Sequence, residues 1–79
     1  MPLLIKLSST LRSQVPGYDP MTGMAMDYRP GESVAGLLQR LGIDPGQVKV
    51  IMVNGRAATL ESELSDGDRV GLFPAVGGG

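Results

Sequence analysis

A single apolar stripe restricts this chain more than any other feature. Ser33 is followed by Val34, Leu37, Leu38 and Leu41 at i, i+3, i+4 and i+7, the spacing of one face of an α-helix. The Ser33 side chain can cap the first free backbone N–H groups, and Gly42 stands where a left-handed residue ends a helix. Asp44-Pro45-Gly46 then prevents continuation. Gln39 and Arg40 are expected to face water. Gly36 costs about 1 kcal/mol relative to alanine inside a helix, and close packing against a strand is the reason expected for it. A lone short helix cannot bury its stripe on itself, and 79 residues are near the lower limit for one core. It must therefore lie across a sheet.

The flanking segments supply that sheet. Leu3, Ile5 and Leu7 alternate with Lys6 in a first strand. Residues Ser13 to Thr22, broken by Pro16, Gly17 and Pro20, read as a long hairpin connection. Met24, Met26 and Tyr28 follow at period two as a second strand that Arg29-Pro30-Gly31 ends. Methionines there could form a soft binding surface, but core filler is the more ordinary use. Val48 to Val53 is apolar on both faces apart from Lys49 and is expected to be central. Asn54-Gly55 signals a tight turn into a short edge strand, Arg56-Ala57-Ala58. Leu60 and Leu64 are spaced like one turn of α- or 3₁₀-helix plugging the base of the core. Asp66-Gly67-Asp68 turns into a last strand, Arg69 to Phe73, which Pro74 closes because proline has no N–H for the ladder. The order predicts an α+β fold, a ubiquitin-like β-grasp: a mixed four- to five-stranded sheet with one helix across one face. The link from second to third strand is expected to be a right-handed crossover. Residues 1–73 form the expected domain and residues 74–79 a flexible tail.

Composition narrows the chemistry. Seven Lys+Arg against eight Asp+Glu give a net charge of −1, and the charges are scattered singly. There is no basic stripe for nucleic acid and no polybasic segment for a membrane. The longest apolar runs fall far short of the roughly 20 residues of a spanning helix, and no charged-then-apolar leader pattern opens the chain, so a cytoplasmic protein is expected. With no cysteine there is no thiolate nucleophile, disulfide or thiolate metal site. With no histidine the usual neutral-pH general base is missing. The chain reads as a protein that is acted on rather than an enzyme, with no bound cofactor and no metal site.

What could be acted on stands last. Leu72-Phe73-Pro74-Ala75-Val76 runs into Gly77-Gly78-Gly79. Glycine-rich ends that are merely frayed, or left by expression tags, are common. Here, however, a carboxyl without a neighbouring side chain could thread a narrow active site of another protein. Six extended residues at about 3.3 Å each reach roughly 20 Å from the last structured residue. Ordering them costs about 1 to 2 kcal/mol per residue, so contacts from the folded body must compensate.

Val53-Asn54, Leu64-Ser65-Asp66-Gly67-Asp68, Phe73-Pro74-Ala75-Val76 and the terminal Gly78-Gly79 together resemble the MoaD/ThiS sulfur carriers. The Phe-Pro pair resembles the small subunit of molybdopterin synthase more than the thiamine-pathway carrier. Gly77 stands where that subunit commonly has alanine, and the connection through Pro16 to Pro20 is longer than in the shortest carriers. The resemblance implies that an ATP-using adenylating enzyme of the ubiquitin-activating type attaches AMP to the Gly79 carboxyl. A carboxylate is ionised at neutral pH and a poor electrophile, so such activation is required chemically. A sulfur donor would displace AMP and leave a thiocarboxylate, which the large subunit of molybdopterin synthase or an equivalent acceptor would consume, in molybdenum or tungsten pterin synthesis. Gly78, Gly77, Val76, Pro74 and Phe73 are the implied binding residues, with Phe73 assigned to docking, and Arg56 and Ala57 as weaker edge candidates. Three rivals stand beside this reading: a ubiquitin-like modifier joined to lysines, a sulfur carrier for thiazole or cysteine synthesis, and a plain β-grasp binding module.

Overall fold

Alternation along the first strand sets the inner face of the sheet. β1 (Leu3–Leu7) turns Leu3, Ile5 and Leu7 into the core and leaves Lys6 in solvent. The computed structural model describes residues 2–19 and 21–74. β1 pairs antiparallel with β2 (Met24–Met26) and parallel with β5 (Arg69–Pro74). On its other side β5 pairs antiparallel with β3 (Val48–Val53), which pairs antiparallel with β4 (Arg56–Ala58). Across the sheet the order is β2-β1-β5-β3-β4. The last strand in sequence is thus the middle one, and Val48–Val53, expected there, is second from an edge.

One helix, α1 (Val34–Leu41), covers one face of the sheet. Its stripe of Val34, Leu37, Leu38 and Leu41 joins Leu3, Ile5, Ile51, Val70 and Leu72 in a single core. This is the expected β-grasp. Ser33 Oγ accepts the Gly36 N–H at 3.3 Å, and Gly42 ends the helix at φ 78°. The next two free donors go elsewhere. Val34 N–H reaches the Ser62 carbonyl at 3.0 Å and Ala35 N–H the Leu60 carbonyl at 2.9 Å. The Thr59 to Leu64 segment is therefore not the expected helical turn. It is a non-helical turn whose outward carbonyls cap α1, while Leu64, 2% exposed, plugs the core as anticipated.

Two further expectations change at the helix. A Cβ on Gly36 would lie 3.0 Å from Glu32 Cγ, so the glycine makes room for a neighbouring side chain and not for a strand. That side chain is held by Arg40, whose Nε and Nη2 donate to the two Glu32 carboxylate oxygens at 2.9 and 2.5 Å. Nη2 also donates to the Asp27 carbonyl at 2.8 Å. Arg40 was expected in water, yet its side chain is 16% exposed and that of Glu32 12%. The pair joins the helix to the chain leaving β2.

The connection from β1 to β2 is more ordered than its prolines suggest. It opens with a 3₁₀ turn, Ser9–Gln14, that drops Leu11 into the core, and Val15 follows it there. The Tyr18 hydroxyl then accepts the Leu7 N–H at 2.8 Å and donates to the Leu7 carbonyl at 3.3 Å, tying the connection to the end of β1. β2 stops at Met26 and not at Tyr28; Met24, Met26 and Tyr28 all pack against the rim of the core. Asp19 Oδ1 accepts the Met21 N–H at 2.8 Å, a bond that holds its carboxyl below the usual carboxylate range.

The Arg40 fork predicts a stability difference that charge alone would not. Arg40→Lys, which keeps the charge and loses the fork, should cost about 1 kcal/mol, and Arg40→Ala about 2 to 3 kcal/mol by stranding Glu32. Urea midpoints of the two variants would measure this, and equal midpoints would contradict the bidentate role.

Candidate functional site

The root of the glycine-rich segment is the C-terminal end of β5, and it is firmly held. Val70 and Leu72 point into the core, and the Leu72 carbonyl accepts the Ser8 N–H at 3.2 Å. Pro74, expected just outside the strand, is its last residue and stands opposite Val48, beyond a register shift between Val48 and Val50. Two 3₁₀ turns flank this end of the sheet, Ser9–Gln14 after β1 and Pro45–Gln47 before β3, and Gln14 hydrogen-bonds Gln47 between them. The fold therefore presents residue 74 on a rigid support. Gly77, Gly78, Gly79 and Val76 lie outside the described residues.

Phe73 points away from α1. It pairs with Val50 across β5 and β3, and the two are 40% and 43% exposed, the pair of large apolar side chains left open on this face. Its ring leans along the strand over Gly71, where an added Cβ would meet Phe73 Cε1 at 3.4 Å and Met52 Cβ at 3.8 Å. The bare glycine thus leaves room for the ring to come close to the strand. In the adjoining row the register places Lys6, Gly71, Met52 and Ala57 side by side. The uncovered sheet face is therefore an apolar patch of Phe73, Val50, Met52 and Ala57 with cations beside it. Lys6, Lys49 and Arg69 lie on the strands that carry this patch, whereas all eight acids lie in connections. Such a surface suits a partner that offers apolar groups inside an acidic rim.

Not every expected residue joins this site. Arg56 pairs with Val53, at the opposite end of β3 from Val48, and that register puts it on the helix side of the sheet, away from Phe73. It lines a shallow depression with Glu63, Ser62 and Ala58. Ala57, one residue on, does face the patch. Val50 and Met52 were missed. Their signal was present in the both-faced apolarity of Val48 to Val53, which reads equally as burial on two sides or as one face kept for a partner.

The motif residues behind the patch hold structure rather than chemistry. Asn54 Nδ2 donates to Asp68 Oδ1 at 2.8 Å, and Asn54 Oδ1 accepts the Arg69 N–H at 2.9 Å. Asp68 Oδ2 accepts the Ser65 N–H at 2.7 Å. Asp68, 9% exposed, thereby ties the Leu64 to Asp68 loop to the β3–β4 turn and to the start of β5. Among the described residues no group of three or more carboxylates is arranged to hold a metal ion, and no helix is long and apolar enough to cross a membrane.

The model of the ThiS family matches residues 21–79, most of the chain, including Asn54, the Leu64 to Asp68 loop and β5. The chain belongs to the ThiS family. No curated protein sequence matches it. Solved structures share its fold. SAMP1 from Haloferax volcanii has a TM-score of 0.72 at 22% identity, over 100% of both chains. A Pyrococcus furiosus protein assigned as subunit 1 of a molybdopterin converting factor has a TM-score of 0.72 at 24% identity, over 96% of this chain and 99% of the other. Urm1 from Trypanosoma brucei has a TM-score of 0.71 at 17% identity, over 99% of this chain and 95% of the other.

If the patch is kept for a partner, removing it should leave the fold untouched. Phe73→Ser should move the melting midpoint by less than about 1 kcal/mol in stability terms, whereas Leu72→Ala, its buried neighbour, should cost about 3 kcal/mol. Thermal unfolding of the two variants reads the contrast.

Proposed function

We propose that this ThiS-family chain carries sulfur as a thiocarboxylate on Gly79 and delivers it to the synthesis of a molybdenum or tungsten pterin cofactor. The observation that carries the reading is the pairing of a glycine-rich segment with an uncovered apolar face at its root. Phe73 is one residue from Pro74 and Val50 stands opposite Phe73, where a partner can grip the body while the following residues enter its active site. In this reading residues beyond Pro74 act as a tether, and Val76, Gly77 and Gly78 are its lining contacts. Small side chains let it pass a narrow channel, and the entropy lost there is offset by burying the apolar patch.

The chemistry belongs to the partners. An ATP-using adenylating enzyme joins the Gly79 carboxylate to AMP, which converts a poor electrophile into a mixed anhydride with a good leaving group. A sulfur donor attacks that carbonyl, AMP departs, and the thiocarboxylate remains. The chain has no cysteine on which to hold sulfur otherwise. The large subunit of molybdopterin synthase, or an equivalent acceptor, then takes the sulfur, and the chain itself is not catalytic. A cytoplasmic location fits the ATP requirement.

A second reading uses the same activated glycine and ends differently, with the carbonyl joined to a lysine of another protein. One Haloferax volcanii protein sharing the fold is described as a small archaeal modifier protein, which favours keeping this reading in view. Intact mass of the protein from its native cell separates the two. Replacement of one oxygen by sulfur at Gly79 is the expected result, and a Gly-Gly remnant on lysines of other proteins is the result of the modifier reading. Removing Gly78 and Gly79 should abolish adenylation while leaving the melting curve unchanged. Adenylation that survives the truncation, or a native product that continues past Gly79, would overturn both.

A further inference from the structure

Asn54 is the one asparagine in the chain, and it stands directly before Gly55. Asparagine followed by glycine is the pair most open to spontaneous cyclisation, because a glycine nitrogen has no side chain beside it to hinder attack. Here the pair forms the turn between β3 and β4, with Asn54 at φ 52° and Gly55 at φ 80°, so neither residue is freely replaced by one with a larger side chain. The Asn54 carboxamide is held at both ends, its nitrogen donating to Asp68 Oδ1 at 2.8 Å and its oxygen accepting the Arg69 N–H at 2.9 Å. The Asn54 backbone N–H is bound as well, to the Arg69 carbonyl at 2.8 Å.

We propose that Asn54 is a deamidation site that the native fold keeps closed through Asp68 and Arg69. In the open turn the Gly55 nitrogen bonds to Asn54 Cγ, the Cγ–Nδ2 bond breaks, and ammonia leaves with the proton that the Gly55 nitrogen gives up. Water then opens the five-membered imide at either carbonyl, giving an aspartyl or an isoaspartyl residue at position 54. No oxidant or reductant takes part. In the folded turn Cγ cannot turn toward Gly55 without parting both carboxamide hydrogen bonds, so reaction proceeds through local opening. The change is also self-reinforcing. It replaces the donor facing Asp68 Oδ1 with a second carboxylate, and two carboxylates in hydrogen-bond contact with no donor between them repel. The modified chain therefore holds the Leu64 to Asp68 loop less tightly and opens more often.

The full chain tests this in two ways. Native protein and the same protein in denaturing urea are incubated in one mildly alkaline buffer, and the exchange of NH2 for OH is followed by peptide mass mapping. Mapping assigns the change to Asn54 and keeps it apart from isomerisation at Asp66-Gly67, which leaves mass unaltered. Native protein should react at least about tenfold more slowly. Separately, Asn54→Asp should lower the urea midpoint at neutral pH. Adding Asp68→Asn to it should recover most of the loss, because the amide introduced at position 68 can donate to the new carboxylate. Equal rates in native and denatured chains, or an Asn54→Asp midpoint equal to wild type, would overturn the proposal.

Discussion

Everything at the functional end of this molecule depends on how β5 is held. It is the middle strand of the sheet, parallel to β1 and antiparallel to β3, and it sends Val70 and Leu72 into the core. Its other face carries Gly71 and Phe73 outward. A single strand thus joins burial and presentation at alternate residues, through nothing more than the two-residue period of the pleat. Loosening the core at Leu72 would disturb the placement of Phe73 and Pro74 together.

The far end of the sheet is organised by polar contacts instead. Asp68 is nearly buried, and its carboxylate is satisfied by the Ser65 N–H and the Asn54 amide. A buried carboxylate with good donors contributes, whereas one without them costs several kcal/mol. Asn54 and the Leu64 to Asp68 loop, which carry part of the resemblance to the family, serve this contact. Their part in this chain is to close the fold.

Much of the fold was readable beforehand, because the decisive signals are local. The Ser33 cap, the stripe from Val34 to Leu41, the Gly42 stop and the Asn54-Gly55 turn each follow from one residue's own conformational preference, and each stands where expected. What was not readable depends on neighbours distant in sequence. Arg40 looked solvated because Glu32 and the Asp27 carbonyl reach it only across the fold. The Thr59 to Leu64 turn looked helical because leucine spacing does not reveal that its carbonyls serve α1. Leu11 enters the core from a 3₁₀ turn whose sequence is polar in five of six positions, with Val15 just after it, too weak a pattern to read as structure. At the candidate site, the resemblance pointed to Phe73 through its place before Pro74, and its side chain is exposed. Val50 and Met52 were not legible, since a strand apolar on both faces does not say which face the rest of the chain will leave uncovered.

The parallel pairing of β1 with β5 has a practical corollary. Strands that run the same way begin at one end of a sheet and finish at the other, so Leu3 and Pro74 stand on opposite sides of the molecule, separated by roughly 20 Å of strand. A fluorophore or affinity label joined ahead of Leu3 therefore hangs from the side remote from Phe73. The chain can be tethered to a surface or imaged from that side without crowding the face and the glycines that a partner would have to reach.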